Sequence, residues 1–242
     1  MRYIQLAPAT SLYQFQDVFE EDTVPVMKRR VLKIDKLPTV RRLPAYLHLL
    51  RALSLTGEQF VSSSYLAEKM HVEPILVRKD LELTRINGTP RIGYCITDLI
   101  KGIEDFLGWD ETLDAFLVGV GQLGSSILCN RELMNFGLKI VAAFDVNPRK
   151  VGATVHGVPV FDSARLKELS QRIHVGLAII CVPAEEAQKV ADILVASGIK
   201  GIWNFTSTNL VVPEDVITQN EDLASGLAVL SVKLTRNKLA AY

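Results

Sequence analysis

The sequence predicts two joined domains: a basic, mainly helical domain that ends in a β-hairpin, followed by an α/β domain with a parallel sheet. Three observations predict them. Apolar residues recur at helical spacing between residues 39 and 83, strand-like and helical runs alternate after residue 113, and basic residues are concentrated before residue 97. With 242 residues, of which 48% are hydrophobic, the chain is long enough to form two cores.

Charge is segregated along the chain although the net charge of the whole is zero. Residues 27–96 contain thirteen Lys or Arg and six Asp or Glu, a net charge of +7, whereas residues 1–26 carry −3 and residues 97–242 carry −4. A basic module beside an acidic one favours binding of a polyanion by the first module. The alternative is a solvated face rich in basic side chains.

The first 30 residues have no sustained periodicity and contain two prolines, so we expect a flexible or loosely docked extension. We find no secretory signal and no apolar run of membrane-spanning length, and we expect a cytoplasmic protein that does not bind a membrane. The three cysteines have no metal-ligand spacing, and we expect no metal site. Cys129 and Cys181 lie in apolar patterns, which predicts buried thiols.

The basic region has the element order of a winged helix-turn-helix domain. The pattern predicts helices over Thr39–Leu55, Tyr65–Met70 and Pro74–Leu83, a hairpin turn at Asn87-Gly88 and a returning strand over Arg91–Ile96. In such a domain the third helix enters the major groove of DNA, where Arg78 and Lys79 would reach phosphates or base edges. Arg85 and Arg91 would flank the turn of the wing. The alternative is a small helical bundle packed on the α/β domain.

A glycine fingerprint marks the start of the α/β domain. Gly119-Val-Gly121-Gln-Leu-Gly124 directly follows the apolar run Leu113–Val118 and precedes a predicted helix over Ser125–Phe136. In a Rossmann domain the first glycine permits the turn, the second lets the backbone approach a pyrophosphate, and the third lets helix and strand pack closely. The alternative is an ordinary strand-to-helix turn without a ligand.

The next predicted strand, Lys139–Phe144, ends at Asp145, where a dinucleotide-binding domain needs an acceptor for a ribose hydroxyl. This carboxylate would repel a 2′-phosphate, so the sequence favours NAD-type over NADP-type cofactors. Further strands are expected over Gly157–Phe161, Val175–Val182 and Gly201–Phe205, and a last helix near Ala224–Asn237.

The chain resembles the Rex family of bacterial redox-sensing transcriptional repressors over about residues 31–237. The matching runs are Arg42-Leu-Pro-Ala-Tyr46, Ser62-Ser63, Val77-Arg-Lys-Asp-Leu81, Gly93-Tyr94, Gly119–Gly124, Phe144-Asp145, Lys150-Val-Gly152, Val182-Pro-Ala184, Gly198-Ile-Lys-Gly201 and Asn204-Phe205. The resemblance implies a homodimer in which NADH binding releases a pseudo-palindromic operator in double-stranded DNA. It also implies domains over 31–96 (winged helix), 97–223 (Rossmann, binding NADH and NAD) and 224–242 (a helix that packs between the partner's two domains).

The resemblance also implies the following site residues. The cofactor would contact the fingerprint and the residues near four strand ends, namely Gly119, Val120, Gly121, Gln122, Leu123, Gly124, Asp145, Val146, Lys150, Val182, Pro183, Asn204 and Phe205. DNA contact would come from Arg42, Ser62, Ser63, Arg78, Lys79, Arg85 and Arg91. Tyr94 would couple the wing to the cofactor by pairing across the dimer with Asp222.

Two departures from the family pattern concern this coupling. The family wing usually reads Phe-Gly-x-Phe-Gly, a basic residue, then Gly-x-Gly-Tyr, but here two of those glycines are missing and Pro90 stiffens the loop. Leu223 stands where the family often has a phenylalanine that would help to occlude the nicotinamide pocket. A Rex-like DNA-binding or scaffold protein with a weakened NADH response is therefore one alternative.

A nicotinamide-dependent oxidoreductase is the other alternative, and the sequence disfavours it. Such an enzyme needs a proton donor and a substrate-orienting group near the nicotinamide. His48 and His71 fall in the predicted DNA-binding domain, His156 in a turn and His174 before a buried strand. About 30 residues follow Phe205, too few for an ordinary catalytic domain. We therefore predict that the protein is not an enzyme.

Overall fold

The computed structural model of the protein describes residues 36–239, without the side chains of residues 223 and 237–239. The expected extension over residues 1–30 lies outside the described residues. A helical domain with a two-stranded sheet is followed by an α/β domain with a seven-stranded sheet. Fold class and domain order therefore agree with the sequence analysis.

The first domain is built from four helices and two short strands: α1 (Leu37–Leu55), β1 (Phe60–Val61), α2 (Ser63–Met70), α3 (Pro74–Leu81), β2 (Tyr94–Cys95) and α4 (Ile96–Leu107). Leu43, Leu47 and Leu50 of α1 are fully buried, and they share one core with apolar side chains of α2, α3 and α4. Pro44 lies in the interior of α1. The strands β1 and β2 pair antiparallel and place the wing beside the start of α2.

The predicted hairpin turn at Asn87-Gly88 is wrong. The chain turns at Pro90–Ile92, closed by paired backbone hydrogen bonds between Thr89 and Gly93 of 2.7 and 2.9 Å. Pro90 fixes the backbone angle φ that suits the second position of a turn, and Arg91 adopts a left-handed φ of 65°. Gly88 instead packs against the ring of Tyr94. The wing is therefore shorter than expected, and β2 contains only the Tyr94–Cys95 part of the predicted returning strand.

Helix α3 ends earlier than predicted. A 3₁₀ turn over Glu82–Thr84 follows it, in which the Thr84 hydroxyl donates to the carbonyl of Leu81 over 2.7 Å. The buried face of α3 consists of Val77, Asp80 and Leu81, whereas Ile75 is 57% exposed. Because Val77, Asp80 and Leu81 form the buried face, Arg78 and Lys79 lie on the solvent side of the helix.

The second domain has the strand order of a doubly wound Rossmann sheet. Its strands are β3 (Leu113–Val118), β4 (Leu138–Asp145), β5 (Thr154–Val155), β6 (Val158–Asp162), β7 (Leu177–Ile180), β8 (Gly201–Asn204) and β9 (Ile217–Asn220), arranged β5-β6-β4-β3-β7-β8-β9. All neighbours are parallel except the β5-β6 hairpin. The order reverses between β3 and β7, which creates the crevice where such folds bind ligands.

Helices cover both faces of this sheet: α5 (Gln122–Cys129), α6 (Glu132–Asn135), α7 (Leu166–Arg172) and α8 (Ala184–Ala196). Alternate residues of β3 point to opposite cores, with Phe116 and Val118 facing α7 and α8 while Ala115 and Leu117 face α5. The final helix α9 (Leu223–Leu239) carries exposed apolar side chains at Leu227, Val229, Leu230, Val232 and Leu234.

The helix predicted over Ser125–Phe136 begins earlier, at Gln122, and is interrupted. Asn130 adopts an extended conformation that ends α5, and its side chain accepts a hydrogen bond of 3.0 Å from the backbone N–H of Glu132 as α6 begins. The predicted burial of Cys129 is also wrong, because this thiol is exposed. Cys181 is half-buried, and burial raises the pKa of its thiol to about 12.

Candidate functional site

The glycine fingerprint lies at the carboxyl end of β3, on the crevice where the strand order reverses. The backbone N–H of Cys181, just beyond β7, donates to the carbonyl of Val118 over 2.8 Å. The backbone N–H of Gly119 donates to the carbonyl of Phe144 at the end of β4, also over 2.8 Å. The loop is therefore anchored to the strands on both sides of β3.

The three fingerprint glycines meet different physical demands. Gly119 has a φ of +96°, and a Cβ there would come within 2.5 Å of the Cys181 carbonyl oxygen. A Cβ on Gly124 would meet the Gly119 carbonyl oxygen at 2.0 Å, so this glycine permits close helix–strand packing. A Cβ on Gly121 would meet no atom within 4 Å. The chain itself therefore does not require a glycine at position 121, but a ligand approaching the backbone there would.

Asp145 is tied to the same loop. One carboxylate oxygen accepts a hydrogen bond of 2.8 Å from the backbone N–H of Val120, and the other accepts from Asn147 over 2.8 Å. The Lys150 ammonium donates to the Val120 carbonyl over 2.5 Å and lies 3.4 Å from the Asp145 carboxylate. These bonds fix the fingerprint turn against the end of β4. Because a carboxylate has about four acceptor positions, Asp145 retains capacity for a further donor.

The surroundings of the fingerprint fit a dinucleotide. Helix α5 begins at its N-cap Gly121 without a side-chain cap, so its positive dipole end is directed at the open space over that glycine. Val146, next to Asp145, is 81% exposed and offers an apolar surface at the lip of the crevice. The start of α5 can thus bind a phosphate group, and the nearby Asp145 carboxylate can accept a hydrogen bond from a hydroxyl.

The other predicted cofactor residues follow the two neighbouring strands. Val182 and Pro183 lie between β7 and α8, and Pro183 is the N-cap of that helix. Asn204 ends β8 and is fully buried; its side-chain amide bonds to Thr206, Thr208 and Asn220. Its side chain therefore shapes the loop after β8. Phe205 packs on Trp203, with ring centroids 4.8 Å apart.

Asp80 of α3 is an ionic anchor for the predicted recognition helix. It is fully buried and accepts hydrogen bonds from Arg42, Tyr46 and Thr39. Burial alone would raise the pKa of Asp80, but the hydrogen bonds, first that from Arg42, outweigh burial and hold it below its ordinary value. The hydrogen bond to Asp80 raises the pKa of Arg42. Burial and, after it, the hydrogen bond to Asp80 raise the pKa of Tyr46.

Arg42, a predicted DNA contact, is paired with Asp80, and its side chain is 25% exposed. The sequence alone did not predict that Asp80 pairs with Arg42. Its spacing from Val77 and Leu81 on one helical face could have indicated that it is buried.

The remaining predicted DNA contacts lie on α2, on α3 and in the segment from α3 to β2. Arg78 and Lys79 are exposed on α3. Arg85, after the 3₁₀ turn, and Arg91, in the wing turn, are also exposed and adopt left-handed φ angles of 61° and 65°. Ser62 is the N-cap of α2 and accepts a hydrogen bond of 3.0 Å from the backbone N–H of Tyr65. Ser63 is half-buried at the first turn of that helix.

The two residues predicted to couple the sites lie at the ends of structural elements. Tyr94 begins β2 and packs on Gly88 of the wing. Asp222 precedes α9 and accepts hydrogen bonds from the Ala224 N–H, over 2.8 Å, and from the Ser225 hydroxyl, over 3.0 Å. These bonds lower the pKa of Asp222, so its carboxylate is charged as it begins the helix.

A winged helix-turn-helix joined to a Rossmann domain defines a DNA-binding protein with a dinucleotide-type ligand domain. Family models agree with this division: one described as a CoA binding domain matches residues 110–208, and one described as a putative DNA-binding protein N-terminus matches residues 37–82. The redox-sensing transcriptional repressor Rex of Treponema denticola is 42% identical over 206 residues, which cover 85% of this chain and 98% of the relative. The chain belongs to the Rex family.

Other comparisons agree with this assignment. The Rex repressor of Bacteroides fragilis is 43% identical over 202 residues, covering 84% of this chain and 92% of the relative. The structure of RSP, a Rex-family repressor, in complex with β-NAD⁺ and operator DNA is 33% identical with a TM-score of 0.78, and the match covers 87% of this chain and 96% of that one. These relatives are named as transcriptional repressors and not as enzymes. Among residues 36–239, no helix has the length and apolarity to cross a membrane.

Proposed function

We propose that this protein is a cytoplasmic homodimeric repressor that binds a pseudo-palindromic operator through its winged helix and is released from it when NADH binds its Rossmann domain. The observation that carries this proposal is the open backbone cradle at Gly121, at the reversal point of the sheet and in the same chain as the exposed basic face of α3. The RSP structures supply the ligand classes, because they are described as complexes with β-NAD⁺ and operator DNA and with β-NADH.

The cofactor would lie across the crevice with its pyrophosphate over Gly121, at the start of α5. Asp145 and Val146 would receive the adenosine half, with Lys150 holding the carboxylate in place beside the fingerprint. The Val182-Pro183 turn after β7 would flank the adenine half, and Phe205, on the loop after β8, would lie beside the nicotinamide half. Asn204 would act there by holding its loop, since its side-chain amide already bonds within that loop.

The DNA would meet the exposed face of α3, with Arg78 and Lys79 directed to the major groove. Asp80, on the opposite face, holds this helix to α1 through Arg42. Arg85 and Arg91 would contact the backbone or minor groove from the wing. The short turn at Pro90–Ile92 gives this wing a tip unlike the glycine-rich family pattern, so we expect a different preference at the operator edges.

The proposal is tested by titrating the protein onto a duplex, with NADH, NAD⁺ or NADPH present. The duplex is obtained by selecting random-sequence DNA on the nucleotide-free protein. We expect NADH to weaken duplex binding most, and NAD⁺ less. NADPH should act at much higher concentration than NADH, because its 2′-phosphate would approach the Asp145 carboxylate.

The variant Asp145→Ala should narrow the difference between NADPH and NADH. Duplex affinity that none of the three nucleotides changes would overturn the sensor function. NADPH binding as tight as NADH binding would overturn the assigned role of Asp145.

A further inference from the structure

We infer that Phe136 is the joint through which the Rossmann domain positions the winged helix within one subunit. This inference rests on the proposed function, and it concerns a residue outside both binding surfaces. Phe136 follows α6 of the Rossmann domain, yet its side chain packs on the hydrophobic core of the winged helix domain.

Three side chains contact Phe136, two from helix α1 and one from the connection after α4. Its ring lies edge-on to His48 of α1, with ring centroids 5.6 Å apart, and tilted against Trp109, just beyond α4, at 4.6 Å. The guanidinium carbon of Arg51 lies 5.7 Å from the ring centroid. These aromatic and cation–π contacts attach the end of α6 to α1 and to the connection after α4.

Polar bonds fix the same joint. Arg51 donates to the Asn135 carbonyl at the end of α6, over 3.3 Å, and to the Glu104 carboxylate of α4, over 2.7 Å. Gly137 then turns with a φ of +77°, and its carbonyl accepts a hydrogen bond of 2.6 Å from the N–H of Leu113 at the start of β3. A Cβ on Gly137 would come within 2.6 Å of the Glu111 carbonyl oxygen. The backbone here is therefore closely fitted to the interdomain connection.

The joint is continuous with the cofactor cradle. Helix α5, whose N-cap is Gly121, has eight residues and a length of about 12 Å, and only Asn130 and Arg131 separate it from α6. Leu133 of α6 packs on the core beneath α5, whereas Phe136 packs on the winged helix core. A displacement of α5 by a pyrophosphate at its N-terminus would therefore reach α1 and α4 through α6. This route lies within one chain and does not use the pairing of Tyr94 with Asp222.

The test compares Phe136→Ala and Phe136→Leu with Met134→Ala, a control two residues earlier on α6 whose side chain is 65% exposed. For each protein, four affinities are measured: NADH with and without the selected duplex, and the duplex with and without NADH. The coupling factor is the ratio of duplex affinities without and with NADH. We expect the Phe136 variants to bind NADH without DNA within about threefold of the parent, because no cofactor contact changes. Their coupling factor should fall at least fivefold toward one, with Phe136→Leu intermediate.

The control should keep the parental coupling factor. A parental coupling factor of one would refute the proposed function itself. If the parental coupling factor is well above one and both Phe136 variants retain it, the proposed role of Phe136 is refuted and the sensor function stands. If Phe136→Ala does not fold, Phe136→Leu and Arg51→Gln decide the question, and unchanged coupling in both overturns the inference.

Discussion

Arg42 and Asp80 form a two-bond ion pair, with Nε to Oδ2 and Nη2 to Oδ1 both at 2.7 Å. The pair joins α1 to α3, and the Tyr46 hydroxyl adds a bond of 3.0 Å to the same carboxylate. Asp80 lies next to Lys79, which faces the solvent. The orientation of the DNA-binding face of α3 therefore depends on a buried charge on its opposite face.

Removing Arg42 should destabilise the winged helix domain. We expect Arg42→Ala to lower the free energy of unfolding by about 2 kcal/mol, because it leaves the buried Asp80 carboxylate without its charged donor. Chemical denaturation monitored by circular dichroism measures this loss. The matched control is Arg41→Ala, since Arg41 is the exposed neighbour on the same helix. Equal losses in the two variants would contradict the assigned role of the pair.

Asp80 should also make stability depend on pH. Its pKa in the folded protein lies below the ordinary value of 3.8, so its stabilising contribution is present above that value and is lost as the pH falls through the folded pKa. The stability difference between the parent and Asp80→Asn should therefore be constant from neutral pH down to about pH 4 and narrow below it. The exposed Glu82→Gln variant provides the control. A difference that widens with acidification would contradict this assignment.

Arg78 and Lys79 should control the salt dependence of DNA binding. If each contacts one phosphate, each alanine variant should reduce the slope of log affinity against log salt by about one unit. Fluorescence anisotropy on the selected duplex at four salt concentrations measures the slope. Lys189→Ala, on α8 of the Rossmann domain, should leave it unchanged. A parental slope in Arg78→Ala or Lys79→Ala would remove that residue from the proposed interface.

The apolar side of α9 should be buried against a second copy of the chain. Leu227, Leu230 and Leu234 share one helical face and are each more than half exposed in the single chain. We expect Leu227→Glu with Leu230→Glu, or deletion of residues 224–242, to yield monomers by light scattering at micromolar concentration. Lys233→Glu on the same helix should remain dimeric. A parent protein that is monomeric with and without DNA would refute the dimer.

The features that the sequence predicted correctly are those imposed by local chemistry. The left-handed turn at Gly119, the close helix packing at Gly124 and the strand end at Asp145 are features of short local runs of sequence. The position of the wing turn was missed because Pro90 favours its own turn over the more common Asn87-Gly88 signal.

Contacts between distant segments were not predictable in this way. The bond between Asp145 and Val120 joins a strand end to a loop 25 residues earlier, and the Arg51 bond to Asn135 spans 84 residues. No local pattern marks such pairs, because only the folded chain brings them together. Periodicity predicted a single helix that ends at Phe136. It missed the break at Asn130, because that break depends on a side-chain cap at the start of the next helix.

The central claim, that the nucleotide and DNA sites are coupled, is tested most directly by reciprocity. A coupling free energy between two ligands is the same from either side, so saturating duplex must weaken NADH binding by the factor by which NADH weakens duplex binding. Isothermal titration of NADH into the free protein and into the protein–duplex complex measures this factor. We expect the affinity for NADH to fall between about fivefold and 150-fold on the complex. Equal NADH affinity in both titrations would contradict the account and leave a DNA-binding protein whose nucleotide site does not regulate it.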